Sequence, residues 1–181
     1  MESPDRNIRN WCLLGFSVIV VLGFLLHDLY HWTSELRIIG LMVPVNESVW
    51  EHLKLGYWAL LIFSAVEYKY LGYRIPTFFL TKTIGFMIMS FTILGIFYTY
   101  TLFAGHSILW IDILSYITGA FFCQVFTFFM YQSGFKRSMK GISLTLFIGF
   151  GIAFALFTLY PPHTGIFKDA NNDTYGINKE E

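Results

Sequence analysis

The stretch Pro44-Val45-Asn46-Glu47-Ser48-Val49-Trp50-Glu51-His52-Leu53-Lys54 places acids, a histidine and a lysine at the start of an otherwise apolar helix. Asn46 is a good helix N-cap, and Ser48 followed three residues later by Glu51 has the pattern of a capping box. The apolar run 55–66 is too short to cross a bilayer, but a helix over residues 46–71 is long enough. Its polar start must therefore lie at the membrane interface or inside a helix bundle.

The composition of the whole chain indicates a membrane protein. Its 181 residues are 55% hydrophobic, 20% aromatic and 13% charged, whereas soluble domains carry about 25% charged residues. The mean hydropathy is +0.56. The formal net charge is zero, which argues against nucleic acid as a partner. The cysteines, Cys12 and Cys123, form no pattern typical of a disulfide framework or metal motif.

Long uncharged runs separated by helix-breaking residues predict an all-α membrane bundle in a single domain over residues 1–181. About five transmembrane helices are expected, followed by a polar C-terminal tail over residues 161–181. The predicted helices cover about residues 10–32, 46–71, 76–104, 107–135 and 141–160.

The distribution of basic residues predicts the orientation of this bundle. With five spans, eight Lys and Arg residues fall on the side of the N-terminus and four on the other side. The positive-inside rule then places the N-terminus in the cytoplasm and the C-terminus outside. We therefore expect a multi-pass protein of the cell membrane. In this orientation all five histidines lie at the outer level, because each odd helix ends there and each even helix begins there.

Ionisable side chains at membrane depth are expensive to bury and suggest a functional site. His27 and His31 are four residues apart, so they share a face of a continuous helix. Together with His52 they are the predicted metal ligands, and Asp112 is expected as a fourth ligand or as a group that supports the ligands. Nitrogen and oxygen donors of this kind suit zinc, iron or manganese. We therefore expect Zn²⁺ or another divalent transition metal as the cofactor.

A zinc ion with three protein ligands keeps an open position, where a bound water has a pKa near about 7. Glu51 is the predicted general base, and Glu47, on the same helix face, is the second catalytic candidate. Glu51 and His52 are about 100° apart around the helix, so both cannot point straight at one centre. The predicted function is metal-dependent hydrolysis of a lipid or lipid-linked substrate.

Other interpretations of these residues stay open at this stage. The same pocket could bind or transport a small solute without metal, and two histidines can also ligate haem iron. Acids at a helix start also favour the helix dipole without any further role. Glu51 could pair with Lys54, Asp112 could cap its helix or pair with Lys54, and the protein could be a structural or accessory subunit. Membrane lipids, and a lipid or small-molecule ligand, are the expected partners. Glu67 is expected to be solvated at the inner interface.

Several of these segments resemble a known family. The segments are His27-x-x-Tyr30, the stretch 44–54, Asp112-Ile113 and the tail that begins Pro161-Pro162. They are similar to an uncharacterised prokaryotic membrane-protein family, domain of unknown function 6512. The resemblance covers most of the chain, and it implies a small polytopic membrane protein with no known activity. The chain departs from the family at His31, where an acid is expected, and at Gly165, where proline is expected.

Overall fold

The computed structural model of the protein describes residues 4–135, 137, 139–170 and 172–177, without the side chains of residues 4 and 5. Its described part is helical and contains no β-strand. Lys136 and Lys179, which entered the prediction of orientation, lie outside the described residues. The α-helices are α1 Pro4–His27, α2 Leu29–Trp32, α3 Arg37–Gly40, α4 Val49–Tyr70, α5 Phe78–Ala104, α6 Leu109–Gln132 and α7 Lys140–Leu159.

Four helices, α1 from Arg6 onward, α5, α6 and α7, are long and apolar enough to cross a membrane. This confirms the prediction of an all-α membrane bundle. The helix α4 has 22 residues, so it is about 33 Å long and matches a bilayer core of about 30 Å. It packs against α1, α5 and α7, and more than half of its residues are buried. The number of spans and the sides on which the termini lie stay predictions.

The first predicted helix, 10–32, is interrupted. The helix α1 ends at His27, and a separate four-residue helix, α2, follows after Asp28. Ser34 and Glu35 then adopt positive φ angles of 54° and 58°, in the left-handed region, and turn the chain back. The returning segment passes so close to its neighbours that a Cβ on Gly40 would lie 2.8 Å from Val45, so this position needs glycine.

The helix α4 begins as the sequence predicts, with Ser48 as its N-cap. The Ser48 hydroxyl accepts a hydrogen bond of 3.4 Å from the backbone N–H of Glu51. The second half of the predicted capping box is not formed, because the backbone N–H of Ser48 donates to Asn46 Oδ1 instead, at 3.0 Å. This leaves the Glu51 side chain free to point into the bundle.

Inside the bundle, Glu51 and Lys54 form a buried ion pair with an Nζ–Oε2 distance of 2.5 Å. The Lys54 ammonium also donates to the carbonyl of Gly40 at 2.7 Å and to the Thr158 hydroxyl at 2.9 Å. The Glu51 carboxylate accepts from that hydroxyl at 2.9 Å and from the backbone N–H of Val45 at 3.2 Å. This network joins α4 to α7 and to the segment before α4. It contains the pairing of Glu51 with Lys54 that the sequence suggested as one alternative.

A second buried ion pair lies at the opposite end of α4, where Glu67 contacts Lys82 of α5 at 2.5 Å. The side chains are 0% and 1% exposed, so the prediction that Glu67 is solvated was wrong. The Lys82 ammonium lies 5.5 to 5.7 Å from the ring centres of Phe63, Phe78 and Tyr131. Helix packing therefore supplies both the counter-ion and the aromatic surroundings of Lys82.

The C-terminal tail folds back onto the end of the bundle where α4 begins. The Phe167 ring packs 4.7 Å from that of Trp50, and Asn46 donates a hydrogen bond of 3.3 Å to the carbonyl of Gly176. The Asp169 carboxylate accepts from the backbone N–H of Glu47 at 3.4 Å. The tail thus holds in place the loop that precedes α4.

Candidate metal site

Among the described residues, one group of side chains could hold a metal ion: His27, Glu47 and His52, whose ligand atoms all lie within 4.8 Å of one another. His27 is the last residue of α1, Glu47 lies in the loop before α4, and His52 lies in the first turn of α4. His27 Nε2 is 3.6 Å from Glu47 Oε1, and His52 Nε2 is 3.6 Å from Glu47 Oε2. The end of one helix and the start of another therefore bring these groups together.

The other nitrogen of each imidazole has its own partner. His52 Nδ1 lies 3.0 Å from the carbonyl oxygen of Ser48, and His27 Nδ1 lies 3.3 Å from the Asp28 carboxylate. The oxygen partners of Nδ1 only accept, so we assign a ring proton to Nδ1 in both residues. Glu47 is also an acceptor, so each Nε2 needs a proton or a metal ion between itself and the carboxylate. This is the arrangement typical of metal-binding histidines, which donate their second nitrogen to an oxygen atom.

Glu47 supplies a negative charge between the two imidazoles. The adjacent His27 imidazole lowers the pKa of the Glu47 carboxyl below its usual value, partial burial opposes this effect, and the nearby His52 adds to the lowering. The side chain is 37% exposed, so water or a metal ion can reach it. Glu47 is therefore a carboxylate at neutral pH, the form that binds metal.

Two of the three spacings within the group suit a small tetrahedral ion. Zinc bonds of about 2.1 Å in tetrahedral geometry place ligand atoms roughly 3.4 Å apart. The two histidine–glutamate distances of 3.6 Å are close to this value. Three protein ligands in this geometry leave one coordination position open.

Two cavities adjoin the group. The larger has a volume of about 240 Å³ and lies between α1, α4 and α6. The smaller, of about 20 Å³, is lined in part by Glu47, His52 and Asp112 and has room for about one water molecule. The larger cavity is lined by Gly23, Phe24, His27, Asp28, His52, Leu55, Leu109, Asp112, Ile113 and Tyr116.

Asp112, predicted as a fourth ligand or a supporting group, lines both cavities but lies outside the three-residue group. It lies in the first turn of α6, and its Oδ1 accepts a hydrogen bond of 2.6 Å from the Tyr100 hydroxyl. The Lys54 ammonium contacts Glu51, Gly40 and Thr158, so the structure shows no pairing of Asp112 with Lys54 in its described part. Asp112 therefore faces the water-sized space beside His52.

His31, the third predicted ligand, lies apart from His27 and His52. Its side chain is 70% exposed, and its Nδ1 is 4.0 Å from Glu35. The spacing of four residues places His27 and His31 on one face only if the helix is continuous, whereas α1 ends at His27. A metal-ligand role for His31 stays a prediction that this geometry does not favour.

Glu51, the predicted base, is also directed away from the group. Its side chain is 2% exposed, and both carboxylate oxygens contact Lys54, Thr158 or Val45. The angle of about 100° between neighbouring helix positions explains why His52 faces the cavity while Glu51 faces α7. Glu47, which the sequence assigned to catalysis, occupies a position suited to a ligand instead. Its catalytic role, like that of Glu51, stays a prediction.

The supporting groups were harder to find in the sequence. Asp28 is the next residue after His27, and this adjacency was the only sequence feature that indicated its contact with the imidazole. Ser48 contributes its carbonyl only because it precedes His52 by one helical turn. Asp169 reaches Glu47 from 122 residues away, and no local pattern indicates such a contact. His106 is exposed, and the ring of His163 packs 4.7 Å from that of Tyr175.

Comparison with known proteins gives one match. The family model described as "Family of unknown function (DUF6512)" matches residues 2–177, nearly the whole chain. No curated protein and no solved structure matches the chain. The match confirms the resemblance carried by the stretch 44–54.

Proposed function

The chain belongs to the DUF6512 family, whose function is unknown, and from the geometry of its His/Glu/His group we propose that it is a metal-dependent membrane hydrolase. His27, Glu47 and His52 bind a divalent transition metal, and zinc fits this donor set best. The observation that carries the proposal is that both Nε2 atoms face one carboxylate at 3.6 Å while both Nδ1 atoms are held by other oxygens.

The chemistry follows from the open coordination position. A zinc ion held by His27, Glu47 and His52 would lower the pKa of a bound water to about 7 and would polarise a substrate carbonyl. In ester or amide hydrolysis the water oxygen bonds to the acyl carbon, and the bond from that carbon to the leaving oxygen or nitrogen breaks. Asp112, which lines the small cavity beside His52, takes the water proton and passes it to the leaving group. The hydrogen bond from Tyr100 holds this carboxylate in place.

Two alternatives from the sequence are less well supported. Haem requires more space than the cavity of about 240 Å³, since pockets for drug-sized ligands already span about 300–1,000 Å³. Solute transport requires a polar path, but Ile19, Leu60 and Met89 in the core of the bundle are fully buried and apolar. Neither argument affects the metal proposal.

Metal analysis of the purified protein tests the proposal. After chelation and reloading with zinc, we expect one metal per chain in the wild type and less than a tenth of that in His27→Ala and His52→Ala. His31→Ala is the matched control, because its imidazole is exposed and lies outside the group. Thermal melting in the same detergent shows whether each variant is folded. A folded His52→Ala that binds as much zinc as the wild type would falsify the assignment.

A further inference from the structure

The larger cavity beside the metal group has a strongly asymmetric lining. Its polar side chains, His27, Asp28, His52 and Asp112, come from the end of α1 and the starts of α4 and α6. The remaining walls are apolar or aromatic. Gly23, Phe24, Leu55 and Tyr116 lie deeper between the same helices, Ile113 adjoins Asp112, and Leu109 lies at the start of α6. A ligand that fills this cavity needs a polar head at the metal and an apolar body behind it.

The cavity opens between two membrane-spanning helices. Phe24 of α1 and Leu109 of α6 both line it, and they are 50% and 60% exposed. Both helices are long and apolar enough to cross a membrane, so these exposed faces lie against lipid. An apolar chain can therefore enter from the bilayer between α1 and α6.

Tyr116 closes the deep end of the cavity. Its side chain is 7% exposed, and its hydroxyl donates to the carbonyl of Ile19 at 3.1 Å. The ring lies directly against Gly23, where a Cβ would be 2.6 Å from the ring atoms. Since the tyrosine is held on both sides, the length of the cavity is fixed. A volume of about 240 Å³ holds about eight non-hydrogen atoms at roughly 30 Å³ each.

The charges at the polar end select the head group. The carboxylates of Asp28, Glu47 and Asp112 surround the two imidazoles. Even beside a bound divalent cation, the three carboxylates leave an excess of negative charge at this end, so a phosphate head would be repelled. A neutral carbonyl group, as in an ester or an amide, carries no such penalty and still offers an oxygen to a metal.

We propose, on the basis of the metal function above, that the substrate is a neutral acyl ester or amide. Its acyl group, with the carbonyl included, has about eight non-hydrogen atoms and enters between α1 and α6. The carbonyl lies at the metal, and the chain lies along Phe24, Leu55 and Ile113. The site is therefore selective for chain length, with Tyr116 as the stop.

The test uses the full-length protein in lipid nanodiscs, loaded with Co²⁺ so that the visible spectrum reports coordination. The probes are neutral straight-chain alkyl hydroxamic acids with two to twelve carbons. Affinity is expected to rise up to about fourfold per added methylene until about eight carbons, and then to stop rising. Ile113→Phe fills the cavity, so we expect the eight-carbon probe to bind it no better than the two-carbon probe. Leu114→Phe is the matched control, because Leu114 is the next residue on α6 and is 59% exposed.

The outcomes separate the two proposals. A protein that takes up no cobalt overturns the metal function and, with it, this inference. Cobalt uptake with no dependence on chain length overturns the inference alone. If probe affinity rises equally up to twelve carbons in Ile113→Phe and Leu114→Phe, the probes partition into the lipid rather than bind in the cavity. That result also overturns the inference. Loss of the rise in Ile113→Phe, with cobalt content and two-carbon binding unchanged, supports it.

Discussion

Replacement of Lys54 by methionine tests whether the Glu51–Lys54 network holds the bundle together. The ammonium donates to Gly40 and Thr158 and pairs with Glu51 at 2.5 Å, and the residue is 0% exposed. Methionine keeps most of the side-chain volume but leaves the carboxylate buried without a counter-ion. The matched control is Lys69→Met, on the same helix but exposed to the surroundings of the bundle.

The expected loss is large because removal of one partner of a buried ion pair costs about 3–5 kcal/mol. The Gly40 carbonyl loses its contact with Lys54 as well, so the upper half of this range is expected. Lys69→Met is expected to change the free energy of unfolding by no more than about 0.5 kcal/mol, as is usual for surface positions. A second substitution, Glu51→Gln in Lys54→Met, removes the uncompensated charge and is expected to recover at least about 2 kcal/mol.

Equilibrium unfolding in mixed micelles with increasing dodecyl sulfate measures these differences, and zinc content is measured on the same samples. Both Lys54→Met and the double variant are expected to keep one zinc per chain, since neither residue belongs to the three-residue metal group. If Lys54→Met is as stable as Lys69→Met, the network is not a stabilising element. If Glu51→Gln folds normally but abolishes hydrolysis, Glu51 acts in catalysis as first predicted from the sequence.

Three further predictions concern other parts of the molecule. Zinc affinity, measured by competition with a chromophoric chelator, should fall as the pH is lowered, because metal ligands must be deprotonated to bind. Glu47, whose pKa is lowered below its usual value, should keep its negative charge to lower pH than an ordinary glutamate does. Glu67→Gln should destabilise the protein by about 3–5 kcal/mol in the same unfolding assay, and Glu67→Leu combined with Lys82→Met should recover most of that loss. Phe167→Ala should cost about 3 kcal/mol, and limited proteolysis should then cleave the tail sooner.

Much of the fold follows from simple features of the sequence. Uncharged runs of membrane length predict the apolar helices, and Ser48 marks the start of α4 because its hydroxyl can cap the first free N–H groups. The interruption after His27 was not predicted, since no proline or glycine marks it. The partner of Glu67 was also missed, because Lys82 follows a connection and only helix packing brings the two together.

The site was predicted less completely than the fold. The alternation of helix directions was enough to place His27 and His52 at one level of the bundle. The choice between Glu47 and Glu51 could not be made from spacing, because it depends on how the loop before α4 is held. The C-terminal tail helps to position Glu47, because Asp169 accepts a hydrogen bond from its backbone N–H. Local sequence patterns do not indicate a contact between residues so far apart in the chain.

The polar character of α4 has a consequence for how the protein is made. Charged residues make the release of a helix into lipid alone unfavourable, and α4 carries Glu51 and Lys54 near its start and Glu67 near its end. Its partners Lys82 and Thr158 belong to α5 and α7, which leave the ribosome later. We therefore predict that stable packing of α4 in the bundle waits for the synthesis of the helices that follow it. Chains truncated before residue 140 should be targets for membrane quality-control proteases.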